Sequence, residues 1–270
     1  MMASRTVAVV AALVLAGSPA VVAQTAPIDV TGATRVEIDE RTGIWHLTGA
    51  PVTVRRGAVS VRAPEIIYDS KRQVVEATGG VAYSDPTAEF ASAAATVWLA
   101  EERLVATGEV TGTLKGEQGE TALRADRVEA SRVLRQVVAT GAVTLRRSGV
   151  TLTGERVEYD DARQQASSTG RPTVTASGGT LVADRVDAAL ATEVVTAVGN
   201  VRLTKGDIEA IAPRAVLQNR EGLITLTGGV TVRQGGLTAK APTVVVNLKT
   251  NLITASGGAT LTIPPAPPAP

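Results

Sequence analysis

Chemistry in this chain would have to start from very little. Its 270 residues include one histidine, His46, and no cysteine. A thiol nucleophile is therefore out of reach, and the spaced Cys and His ligands of a zinc site cannot be assembled around a lone His46 beside Trp45. The acidic run Glu37, Asp39, Glu40 and the recurring Asp69 and Asp160 fall where hairpin turns are expected, and aspartate has a structural reason to be in turns. No G-x-S-x-G element, Walker loop or G-x-G-x-x-G following a strand is present. The Gly-Gly pairs beginning at 79, 178, 228, 235 and 257 read as turn or strand-end residues rather than phosphate cradles. No catalytic residue, cofactor or metal site is expected, and the protein does not read as an enzyme. What remains are the basic pairs Arg55-Arg56 and Arg146-Arg147, with Lys205 and Arg233 at comparable places further on. They are either a solvated edge defended by charge against aggregation or a rail for phosphate or sugar-acid head groups.

Comparable places exist because the chain repeats itself. In a pattern of an apolar residue, Thr or a substitute, Gly, any residue and Val, the glycines fall at Gly49, Gly79, Gly108, Gly141, Gly170, Gly199, Gly228 and Gly257. Their spacings are 30, 29, 33, 29, 29, 29 and 29 residues. One supersecondary unit has been stacked about eight times, and self-similarity of this kind outranks local propensity. Aromatic residues are 2% of the chain and all apolar residues 44%, so Val, Ala, Leu and Thr must build the core. These residues suit a pleated surface. An all-β body spanning residues 34–263 is predicted.

The flanks differ from this body. Met1 to Ala23 reads as a secretory signal peptide, with Arg5 closing its n-region, the run TVAVVAALVLAG following, and cleavage after Ala23. The run is too interrupted to reach the roughly 18 apolar residues of a membrane span, so no transmembrane anchor is expected. Residues 24–33 read as a flexible leader, with the sheet beginning near Thr34. Residues 264–270, PPAPPAP, read as a disordered polyproline-like tail. Without Arg5 the mature chain balances 26 basic against 26 acidic residues. A neutral body without clustered cations is not a nucleic-acid binder.

Each unit contains two alternating segments. In the seventh, Ile224, Leu226, Gly228, Val230 and Val232 share one face, and Thr225, Thr227, Thr231 and Arg233 the other. One apolar face and one wet face point to antiparallel strands. In the second segment the apolar period slips by one residue each time, as from Ala241 to Val244 or Ala63 to Ile66, beside a Pro (Pro64, Pro213, Pro242) or Asp (Asp126, Asp184). An extra residue there would be a β-bulge, and aligned bulges would crease the sheet along one line with its apolar faces inward. The longer intervals are accounted for by Ala50-Pro51 at the crease and by the polar tip Lys115 to Glu120. Inward residues would then include Val81, Val110, Val143, Leu145, Val174, Val201, Leu203, Val230 and Val232. Inward glycines such as Gly141, Gly199 and Gly228 would either leave room for a ligand or simply permit the bend.

Strand pairs of the form V-x-A-T-G-x-V-x-L and L-x-A-D-x-V-x-Y-D after a signal peptide resemble the periplasmic lipopolysaccharide-transport bridge proteins, the LptA-like or OstA-like (organic-solvent-tolerance N-terminal-like) domains. The resemblance covers about residues 34–263. It implies a creased antiparallel β-jellyroll, or β-taco, of about sixteen strands whose interior holds the acyl chains of lipopolysaccharide or another acylated glycolipid. It also implies a periplasmic location and a passive part in carriage toward the outer membrane. The exposed end strands imply head-to-tail self-association, or pairing with related jellyroll domains. The competing reading is a structural or scaffold β-repeat protein of the envelope whose interior is closed and packed.

Overall fold

The computed structural model describes residues 26–116, 119–147, 149–176, 178–250 and 252–263. The stretches expected to be a signal peptide and a Pro-rich tail lie outside them. The described residues form nineteen strands, and the paired strands run antiparallel. They fall into two compact units: residues 26–147 with 156–164, and residues 149–155 with 165–263.

The first unit holds β1 (Ile28–Asp39), β2 (Ile44–Arg56), β3 (Val59–Asp69), β4 (Val74–Ser84), β5 (Ala88–Trp98), β6 (Arg103–Gly116), β7 (Gly119–Ser131) and β8 (Gln136–Arg147). Each pairs with the next. The chain crosses between the units within β9 (Val150–Asp160). The second unit continues with β10 (Gln165–Thr169), β11 (Thr173–Ala176), β12 (Gly179–Val182), β13 (Arg185–Ala189), β14 (Val194–Lys205), β15 (Ile208–Gln218), β16 (Leu223–Gln234), β17 (Leu237–Asn247), β18 (Ile253–Ser256) and β19 (Thr260–Thr262). The expected sixteen chain passes are present. Three are interrupted midway, giving β10 and β11, β12 and β13, and β18 and β19.

Two boundaries differ from expectation. The sheet begins at Ile28 rather than near Thr34, because Ile28 and Val30 already alternate and pair with Arg56 and Val54. The bulge also lies on the other strand. Between the pairs Thr227–Thr243 and Val230–Ala241, two residues of β16, Gly228 and Gly229, oppose Pro242 alone. The extra residue thus belongs to the glycine-bearing segment, and the slip in the Ala-Pro segment is its complement. The same offset recurs at Gly79-Gly80, at Gly108-Glu109 and from Val198 to Val201. Both residues of each of these bulges have positive φ, as they do at Gly141 (77°) with Ala142 (43°); at Gly199 and Asn200 the values are 77° and 48°. Two successive left-handed residues turn the strand sharply, which is what a pleated chain needs to change direction.

β3 itself shows the bend. Its eleven residues would span about 36 Å if straight, yet Arg56, just before it, donates from Nη1 to Gln73 Oε1, just after it, at 2.9 Å. The strand is folded in two, so each unit has an arm on either side of the crease. At the free end of one arm lie the turns, where aspartate accepts backbone N–H bonds. Asp39 Oδ1 receives Arg41 and Thr42, and Asp69 Oδ1 receives Lys71 and Arg72. Contacts from Thr42 hold the Asp39 carboxyl below its ordinary range, and the Arg163 N–H does the same for Asp160. Successive turns are laddered. Ser70 N–H donates to Gly43 O, Leu99 N–H to Gln73 O, and Arg132 N–H to Glu102 O. Arg135 reaches the buried Asp161 in the next turn, and Asp161 also accepts from Tyr159 Oη and Gln164 Nε2.

Candidate lipid groove and basic rim

The inner faces of the arms are made by the alternation read from the sequence. In the first unit Val81, Val110, Val143 and Leu145 are all buried; in the second Val174, Val201, Val230 and Val232 are buried and Leu203 half-buried. No open trough separates the arms at these positions. Val110 and Val201 are 0% exposed, as are Val52, Ile66 and Val128. Their own side chains fill the space.

The proposed inward glycines are elsewhere. Gly141 and Gly199 abut the exposed Asp126 and Asp184, and a Cβ on either would overlap that carboxylate. A Cβ on Gly228 would meet Pro213 Cγ at 3.0 Å. These glycines hold the bend against the corner residue of the preceding strand and leave no room within. Of the two readings open in the sequence, the conformational one is correct.

The basic rim is also divided. Neighbouring residues of a strand point to opposite faces, so Arg55 and Arg146 are exposed outward while Arg56 and Arg147 are half-buried. Burial pulls the Arg147 guanidinium below its usual range. Arg56 closes the mouth of the first unit through Gln73. The partner Gln73 was not foreseen, although its place at the fifth position of a turn, at φ 56°, recurs with positive φ at Gly43, Glu102, Arg135, Gln164, Glu193 and Gly222. In the second unit Arg233 pairs with Glu209 at 3.5 Å, Arg202 shares that carboxylate at 3.1 Å, and Lys205 is half-buried. A single row of four matching arginines does not form.

Tyr83 lies near the mouth of the first unit and donates to Asp85 Oδ2 at 2.7 Å. Its burial, then Asp85, push its hydroxyl far above the usual range, while Arg132 opposes them. His46 is exposed on β2, opposite Glu37. Among the described residues no three His, Asp or Glu side chains converge as metal ligands, and no helix is long and apolar enough to cross a membrane.

A stack of antiparallel hairpins creased at glycine corners, with an apolar inside and a wet outside, defines the class: an all-β repeat domain. Residues 125–252 match the family model described as LptA/(LptD N-terminal domain) LPS transport protein. Among solved structures, LptH, the LptA-homologous periplasmic component of the lipopolysaccharide transport device of Pseudomonas aeruginosa, aligns with a TM-score of 0.40 and 18% identity. That alignment covers 43% of this chain and 95% of that one. No curated protein matches.

Proposed function

We propose that this protein is a periplasmic component of lipopolysaccharide transport that receives acyl chains between the arms of its creased sheet and hands them on passively, as one piece of a bridge toward the outer membrane. The observation that carries the reading is the unbroken apolar inner face, repeated unit after unit within the family-matched residues and before them. Because the arms are closed on their own valines, entry would require them to part. Each methylene buried contributes about 0.8 kcal/mol, so one acyl chain can replace the contacts that a few separated valines give up. The side-chain hydrogen bond across the first mouth, Arg56 to Gln73, has a charged donor and is worth about 1.5–3 kcal/mol net.

The packed interior also favours a second reading, a structural or scaffold repeat whose core never opens. Purification from the native envelope without detergent, followed by solvent extraction and mass spectrometry, separates the two. A stoichiometric multi-acyl amphiphile, reduced when Val143 or Val201 is changed to Asp, is the expected result. A lipid-free protein that takes up nothing from lipopolysaccharide-containing vesicles would leave the scaffold reading standing.

A further inference from the structure

The outward side of the first unit has a concavity that transport of acyl chains does not use. A shallow cleft of about 870 Å³ crosses the arm between the crease and the hairpin tips. Its floor is small and partly hydroxylated, with Ala82, Ser84, Ala91, Thr111 and Thr113 facing out beside the carboxylate of Glu89, which is paired with Lys115. Gly112, between Thr111 and Thr113, faces inward, where a Cβ would run into Phe90 beneath the floor.

Two arginines line one end, and two more stand just beyond the other. The register Thr53–Arg62 and Arg55–Ser60 makes Arg55 and Arg62 diagonal neighbours at one end. The register Arg124–Thr144 and Ala122–Arg146 does the same for Arg124 and Arg146 at the other. All four are exposed, and among the described residues none has an ion pair or hydrogen bond. The acids of this face form no ion pair with them. Glu89 is taken by Lys115, Glu120 is opposite Lys115 in register, and Asp29 is opposite Arg55 without an ion pair. From Arg62 on β3 to Arg124 on β7 is four strand spacings, about 19 Å.

We propose that this face binds an anionic glycan, a short sugar chain carrying phosphate or carboxylate groups toward both ends. Guanidinium forks recognise such groups bidentately. The floor between them offers hydroxyls and a low surface to sugar rings. It lacks the outward aromatic platform that single-stranded nucleic acid needs, and a recessed polar cleft cannot lie on a membrane, which calls for an apolar face. The site does not depend on acyl chains entering the interior.

The test is calorimetric titration of the mature protein at low salt with a sulfated heparin hexasaccharide, a hyaluronan hexasaccharide and neutral maltohexaose. Binding of the two charged probes but not maltohexaose is expected, with roughly tenfold weakening for Arg62→Gln and again for Arg124→Gln, each losing a charge-assisted contact. The exposed turn residue Arg72, changed to Gln, serves as the control for mere net charge, and melting temperature confirms folding throughout. Lipid uptake by the two cleft variants should be unchanged. Absence of charged-probe binding, equal binding of maltohexaose, or equal weakening by Arg72→Gln would overturn the site.

Discussion

Gly141 and Ala142 occupy the same bulge with φ of 77° and 43°, yet they should respond oppositely to substitution. Gly141→Ala adds a methyl group where Asp126 already stands and imposes a left-handed conformation on an L side chain. The expected loss is about 1–3 kcal/mol. Ala142→Gly removes a side chain already held in that region, so relief of strain offsets glycine entropy and the change should stay within about 1 kcal/mol. Urea denaturation of both variants checks this. Comparable losses would mean that the corner is held by something other than the glycine.

The turns behave as a second kind of element, joined through side chains as well as backbone. Arg135→Ala would leave Asp161, 2% exposed, with only Tyr159 and Gln164 as side-chain partners, at a cost of about 2 kcal/mol. Arg156→Ala breaks a pair whose members are 48% and 49% exposed and should cost less than about 1 kcal/mol. Equal shifts in the denaturation midpoint would show that the ladder of turns is ornamental. At this scale much was legible in the sequence: the buried valines follow from period-two alternation, the corner glycines from the repeat spacing, and the turn aspartates from the preference of aspartate for turns. The strand carrying the bulge was not, because an offset between two strands shifts the apolar pattern of both and the pattern alone does not say which one gained the residue. Nor was the closed mouth, since Arg56 and Gln73 meet only after β3 has folded back on itself.

Across the whole molecule, the end strands of the repeat are where we propose that association occurs. Val36 and Ile38 of β1 are 49% and 50% exposed, and Leu252, Leu261 and Ile263 at the far end 63%, 59% and 67%. Lysine is an effective guard on exposed strand edges, so Val36→Lys with Ile38→Lys should abolish concentration-dependent self-association in sedimentation velocity. A parent protein that stays monomeric at every concentration would remove any role for these ends. The corner contacts carry a different consequence. From Gly79 to Gly257, each corner glycine rests on the residue fifteen positions before it: Pro64, Ala93, Asp126, Glu155, Asp184, Pro213 and Pro242 in turn. Every such contact is therefore written within a single period of the gene. An in-frame duplication of 29 codons would reproduce a complete set of corner and turn partners and add two strands, about 10 Å. Length in this protein is a heritable count, adjustable by copying without redesign of any local contact.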